Sequence, residues 1–314
     1  MISNWNEGEV IVHFFYIRER EVKHAANGSD YATFVLERNL QRIQAILWDV
    51  TAEQAQQFER HAVVKVEATV GSYRGQKQLT IQRMRLVTKE DQVKVADLLS
   101  RDGVDREDLW QELRLYMEEI QSDVLRTMIK TIFGKKSFRE RFTTMPAAKM
   151  YHHAYYAGLL EHVVEITRSA WHLFPVYPNL NKDVVITTCL LHDIGKTKSF
   201  LDATAPELSS EGEFFGHVSV SLDMITQAAY SAGLDLDHPE ITHVRHCMGS
   251  QLGEVSQGLG SAASPKTEEA IFFSLLKHLN CQLNNMSMLK EQSVEEWTYS
   301  PLFKRRVYTK KERE

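Results

Sequence analysis

The chain has 314 residues, 43% of them hydrophobic, which is enough to bury a full core and to build two or three domains. Its 37 basic and 42 acidic residues leave a formal charge of −5, so the global field does not favour a nucleic-acid partner and any such binding must use local patches. Cys189, Cys247 and Cys281 lack paired spacing, Glu7 and Glu9 stand where a signal peptide needs apolar residues, and no stretch approaches a membrane span; the expectation is a soluble cytoplasmic protein without disulfides or membrane contact.

Up to residue 90 the chain alternates in strand fashion: Val10 to Ile17, Tyr31 to Leu36, Ile43 to Trp48, Val63 to Val70 and Gln78 to Val87. Five short strands broken at Asn27-Gly28 and over 71–75 predict a small barrel in a domain spanning 1–90. Asn27-Gly28 is expected as a hairpin turn, because both residues tolerate positive φ. A charged stretch, Lys89 to Asp105, opens a linker and connecting helix over 91–140. There Leu109, Leu113, Met117, Ile120, Val124 and Met128 recur every three or four residues and predict one amphipathic helix. Helices are expected at about 155–173, 182–193, 216–232, 238–249 and 267–283, within an all-helical domain over 141–300. A basic tail occupies 301–314.

The helical part carries a dispersed set of metal-ligand residues: His162 in LLEHVVEI, His192-Asp193 in LLHDIGK and His217 in FFGHVSV. Divalent metals take imidazole and carboxylate ligands, and a His followed directly by Asp at a helix end lets one segment grip an ion from two sides. The pair ends an apolar run, Val184 to Leu191, and opens into Gly195-Lys196, a turn suited to lie beside a phosphate. The set reads as a metallohydrolase site. Lone histidines more often sit on the surface or satisfied in a core, and His13, His24, His61, His172 and His238 are read that way.

Binding a single strand needs aromatic platforms beside a basic groove. Tyr73, Arg74 and Lys77 fall on one hairpin turn, with Arg60, Lys65, Arg83, Arg85 and Lys89 around it and Glu67 as the sole acid between residues 60 and 89. Phe34 and Trp48 are candidates to stack on bases, but their apolar neighbours favour the barrel core. In the tail, Phe303 and Tyr308 interleave with Lys304, Arg305, Arg306, Lys310, Lys311 and Arg313; this reads as a solvated segment, with RNA contact as the alternative.

The stretches PAAKMYHHAYYAGLLEHVVEI, LLHDIGK and GHVSV resemble the HD-domain metal phosphohydrolases, in particular the YhaM-type 3′-5′ exoribonucleases, which join an N-terminal OB-fold to an HD domain. NGSDYATFVL and IQAILWD resemble that family's OB strands, VGSYRGQKQLTI its last hairpin, and PKTEEA a late HD segment. The fold so implied is α+β multidomain, a five-stranded OB-like β-barrel followed by an all-α HD domain. The activity implied is Mn²⁺- or Mg²⁺-dependent removal of nucleotides from the 3′ end of single-stranded RNA, and in some members single-stranded DNA. The resemblance makes His162, His192 and Asp193 metal ligands, with His217 completing a second metal position or orienting the attacked phosphate. Asp193 and Lys196 become the catalytic pair, Lys196 stabilising charge on the transferring group. His152 and His153 match the family's paired histidines, with a structural and an RNA-facing role both open.

Two departures bear on this. Where the family carries a His-His pair, this chain has Gln251-Leu252, and leucine cannot ligate a metal. Where the late helix carries Asp-Asn-Leu-Asp, this chain has Lys277 and Asn280 at the aspartate positions, so that an ammonium replaces a metal ligand and a second metal is doubtful. His246 and His278 are the candidate substitutes, His278 only if its helix rotates. The alternative is therefore a noncatalytic RNA-binding or complex-forming protein with a degenerate HD domain. A mononucleotide phosphohydrolase would leave the barrel unexplained, and the oligomeric state stays open.

Overall fold

The computed structural model describes all residues except 1, 25–27, 102, 150–151, 205–206, 253–260, 294–295 and 311–314. It falls into two compact units, Met1–Gly103 and Val104–Glu314.

In the first unit, alternating side chains build β1 (Val10–His24), β2 (Asp30–Arg38), β3 (Gln41–Leu47), β4 (Val63–Tyr73) and β5 (Gln76–Leu86). They form a closed barrel in the order β1-β2-β3-β5-β4, closed by antiparallel pairing of β1 with β4. Only the β3–β5 pairing is parallel. The short helix α1 (Ala52–Gln57), capped reciprocally by Thr51 and Gln54, joins β3 to β4. This Greek-key order is that of an OB-fold. Phe15, Phe34, Leu36, Ala45, Val66 and Leu79 fill its interior. A further short helix, α2 (Val95–Leu99), follows β5.

Several expectations for the barrel need correction. β1 runs seven residues beyond its apolar stretch to His24, because its polar end still pairs along β2 and Arg18 reaches the buried carboxylate of Glu37, which Arg42 also binds. The predicted break over 71–75 is narrower, since β4 and β5 continue to a two-residue turn in which Arg74 and Gly75 take φ of 52° and 78°. Of the Asn27-Gly28 turn, Gly28 has φ 86°, while Asn27 lies outside the described residues. Phe34 is core as expected, whereas Trp48 is 49% exposed. Ile43, Ala45 and Leu47 point inward, so the next even-numbered position faces out; the register pairs Ala32 with Leu47 and sets Trp48 beside Tyr31, ring centroids 5.0 Å apart.

In the second unit the apolar spacing from Leu109 to Met128 spans two helices, α3 (Arg106–Glu118) and α4 (Asp123–Phe133). Ile120 is buried in the connection, so periodicity continues through the break. Ser122 caps α4, and the Asp183 carboxylate accepts from the Gln121 and Ser122 amides at 3.0 and 2.7 Å. The chain then forms α5 (Lys136–Phe142), α6 (Gly158–Leu173), α7 (Lys182–Leu191), α8 (Lys196–Ser199), α9 (Ser210–Ser231) and α10 (Pro239–Gly249). α11 (Glu268–Gln292) runs nine residues past its expected end. The tail is not simply solvated: β6 (Trp297–Ser300) and β7 (Arg305–Tyr308) form a hairpin with Val307 buried, while Lys311 and Arg313 lie outside the described residues. α7 is buried from Val184 to Leu191 and is the central helix of the core. Among the described residues no helix is long and apolar enough to cross a membrane.

Candidate metal centre and nucleic-acid face

The apolar run of α7 carries His192-Asp193 to the middle of the helical unit, where both are fully buried. The His192 Nδ1–H donates to the Cys189 carbonyl at 2.8 Å, which leaves the Nε2 lone pair pointing inward. On α6, His162 is oriented likewise, its Nδ1–H donating to Asn280 Oδ1 at 3.0 Å. The two Nε2 atoms are 3.4 Å apart, and Asp193 Oδ2 lies 3.4 Å from that of His192 and 3.6 Å from that of His162. Ligands about 2.1 Å from one ion stand roughly 3.0 Å apart at octahedral angles and roughly 3.4 Å apart at tetrahedral ones, so small side-chain movements close this triangle on a single cation. Protonation suits it too. Burial holds both imidazoles below their ordinary value, against the pull of Asp193, so they are neutral ligands. Burial would raise the Asp193 carboxyl, but His192, Lys196, Lys277 and His217 outweigh it and keep the carboxylate ionised.

His217 reaches the same carboxylate, its Nε2 3.3 Å from Asp193 Oδ1. Two glycines make this approach. Gly216, at φ 68° and ψ 158°, breaks α9 just before His217. Gly195 lets α9 lie against the turn after Asp193, since a Cβ there would stand 2.2 Å from the His217 carbonyl oxygen; its own N–H donates to Ser221 Oγ at 2.8 Å.

Two lysines also bond Asp193, one at each oxygen. Lys196, expected to face a transferring phosphate, donates to Oδ2. Lys277, buried on α11, donates to Oδ1 at 3.2 Å and also to Gln251 Oε1, whose Nε2 donates onward to the His192 carbonyl at 3.3 Å. The two departures from the family pattern are thus in contact and satisfy each other. Leu252 is half-buried, its amide donating to Ser261. Neither proposed substitute joins the centre: His246 accepts from the Lys266 amide at 2.9 Å, and His278 is exposed beside Gln282.

Sequence reasoning missed the layer behind His162. Glu165 accepts from His153 Nε2, Asn280 Nδ2 and Asn284 Nδ2 at 3.2, 2.8 and 2.9 Å. Burial pushes its carboxyl up, but these donors outweigh burial and hold it at about 2. His153 also meets the Tyr155 hydroxyl, which donates to buried Glu161 at 2.7 Å. His152 packs 5.5 Å from His162, centroid to centroid, and one of its ring nitrogens lies within 4.8 Å of potential ligand atoms of His162 and Cys281. A signal was present: Glu161 and Glu165 flank His162 in the mainly apolar first half of α6, where a buried carboxylate needs donors.

On the barrel, Tyr73 is exposed at the β4–β5 turn with the Arg74 guanidinium 5.3 Å over its ring. Lys77 donates to the Trp5 carbonyl at 2.7 Å. Arg83 lies 3.9 Å from Glu67, a loose pair that leaves it solvated. Arg85 departs from expectation: Asp91 holds it with two bonds of 2.7 Å, so its charge is already matched. Tyr31 and Trp48 pack against each other with Trp48 on the outer face, against the core position that its apolar neighbours favoured.

The HD-domain family model matches residues 157–279, the stretch that brings together His162, His192, Asp193, His217 and Lys277. Residues 157–279 are an HD domain. The chain is similar along nearly its whole length to proteins named 3′-5′ exoribonuclease YhaM: 28% identical to that of Geobacillus sp. (strain WCH70), over 93% of this chain and 88% of the relative, and 27% identical to that of Bacillus pumilus (strain SAFR-032), over 92% and 90%. It is a divergent relative of that family. Among solved structures, the SSB domain of a Synechococcus sp. protein matches at 16% identity and a TM-score of 0.23, covering 26% of this chain and 99% of that one. The strand order β1-β2-β3-β5-β4 is what makes the barrel an OB-fold. Within the HD domain, Asp193 is the residue on which His162, His192, His217 and both lysines converge.

Proposed function

We propose that the protein is a divalent-metal-dependent 3′-5′ exoribonuclease acting on single-stranded RNA. The observation that carries this reading is the convergence of His162 Nε2, His192 Nε2 and Asp193 Oδ2 in an HD domain whose nearly full-length relatives bear that name. These three residues would hold one Mn²⁺ or Mg²⁺. When bound, such an ion supplies Lewis acidity toward a phosphoryl oxygen and acidifies a water. Water attacks phosphorus, the 3′ oxygen of the preceding nucleotide leaves, and a 5′-mononucleotide is released.

The chain's own groups have definable tasks. His192 and His162 present fixed lone pairs because Cys189 and Asn280 hold their Nδ1 protons. Lys196, Lys277 and His217 crowd Asp193 with positive charge or donors, an arrangement that attracts a phosphodiester. On the barrel, Tyr31, Trp48 and Tyr73 offer faces for bases, with Arg74, Lys77 and Arg83 for the backbone.

A second reading is favoured by the Lys277 contact with Asp193: a noncatalytic RNA-binding protein whose HD domain serves as a scaffold. Incubating the purified chain with 5′-labelled single-stranded RNA and Mn²⁺ or Mg²⁺ separates the two. Stepwise shortening from the 3′ end, abolished by chelation, supports the nuclease; intact RNA that is nonetheless bound supports the scaffold.

A further inference from the structure

α11 faces the metal centre with one side and solvent with the other, and the solvent side carries an apolar stripe beside exposed His278. Leu275, Leu279 and Leu283 are 65%, 52% and 59% exposed, with half-buried Phe272 and Met286 flanking them. Between Glu268 and Lys290 the helix exposes no carboxylate, ammonium or guanidinium, since Glu269 and Lys277 are buried. Apolar stripes of this length without charge are features of interface cores rather than of solvated helices.

The order of residues along the stripe points to the partner. Glu268, Phe272, Leu275, Leu279, Leu283, Met286 and Lys290 are spaced by 4, 3, 4, 4, 3 and 4, a series that reads the same from either end. About Leu279 it is also matched chemically. Two copies of the helix laid antiparallel with Leu279 on the dyad set Leu275 against Leu283, Phe272 against Met286, and acidic Glu268 against basic Lys290, with both salt contacts repeated by symmetry. An isologous interface requires this self-complementarity, and the near-heptad spacing is what knobs-into-holes packing requires.

We propose that α11 is a homodimerisation helix, whose occupant is the antiparallel α11 of a second copy of this chain. Asn280 and Lys277 on the other side of the same helix touch His162 and Asp193, so the interface would lie directly behind the site in each protomer.

Sedimentation of the full chain over a range of concentrations tests this. The expected result is a species of twice the chain mass. Leu279→Glu should weaken association by about tenfold or more, as loss of a central apolar anchor does, while an unchanged circular-dichroism spectrum shows that this exposed position was not needed for folding. Leu275→Lys provides a second disruption should Leu279→Glu fold poorly. Glu268→Lys and Lys290→Glu should each weaken the dimer and together restore it, an outcome only the antiparallel register gives. A monomer at all concentrations, or a dimer indifferent to Leu279→Glu and Leu275→Lys, overturns the proposal, as does failure of the double charge swap to restore association. A monomer that loses RNA affinity on Leu279→Glu would assign the stripe to nucleic acid instead. Mass is read without RNA or metal, so the outcome is separable from whether the chain is a nuclease.

Discussion

The Lys277 ammonium lies 3.2 Å from Asp193 Oδ1, and both groups are buried. With Lys196 on the second oxygen, one carboxylate compensates two interior cations. Asp193 is therefore a structural counter-ion as well as a candidate ligand.

Asp193→Ala should destabilise the fold as well as silence it. Removing one partner of a buried ion pair typically costs about 3–5 kcal/mol, and here two ammoniums lose their partner. Urea unfolding should show that loss, and adding Lys277→Met to the variant should recover part of it. Equal stability of Asp193→Ala and wild type would mean that the lysines do not depend on this carboxylate.

Lys277→Asp should raise Mn²⁺ affinity by about tenfold or more, because a ligand replaces a repelling charge beside the triangle of His162, His192 and Asp193. Calorimetric titration should find at most one tight ion in the wild type. Two tight ions and brisk 3′ trimming by the unmodified chain would contradict the placement of Lys277.

Trp48→Ala and Tyr31→Ala should each weaken single-stranded RNA binding by about 1–3 kcal/mol, the usual value of one stacked base. Arg74→Ala with Lys77→Ala should lower the salt dependence of binding. Arg85→Ala should do little, since Asp91 already neutralises that guanidinium. Fluorescence titrations at two salt concentrations would check all three, and an Arg85→Ala effect as large as that of Trp48→Ala would relocate the binding face.

Acidification should destabilise the metal-free protein. Burial depresses the His162 and His192 imidazoles below their ordinary value and takes His152 down to about 3. Below about pH 6.5 the unfolded chain binds protons on these rings and the folded chain does not, so stability falls by roughly 1.4 kcal/mol per ring per pH unit until the folded value is reached. The contribution is fully present above that pH. Denaturation curves in chelator at about pH 7 and about pH 5 should show the drop, and His152→Gln should make the slope shallower. A flat profile would mean that these rings are not buried neutral.

The barrel was legible because a period of two survives in any strand with one buried face, and the HD centre because His192-Asp193 follows an unbroken apolar run. What remained hidden depended on register or on nonlocal donors. Trp48 looked like core because its sequence neighbours are apolar, yet its orientation follows from the pairing of Ala32 with Leu47. The single helix expected over 109–128 became two because a cap at Ser122 and a carboxylate 61 residues away at Asp183 leave no trace in hydrophobic spacing. Glu165 could be noticed as a charge in an apolar helix, but its three donors come from positions 153, 280 and 284. Lys277 and Gln251 each stood out singly; that they bond to each other required coordinates.

That bond has a consequence for how the site acquires its positive charge. A dissociable cation is present only when its supply exceeds its Kd, and a chelator can remove it. The ammonium of Lys277 is tethered by four methylenes to α11 and held by Gln251 and Asp193, so this part of the charge comes with translation and does not vary with ion supply. A change at either position therefore reaches the other: aspartate at 277 requires the Gln251 amide to turn its Nε2 toward the new carboxylate, and histidine at 251 leaves the ammonium with one partner fewer.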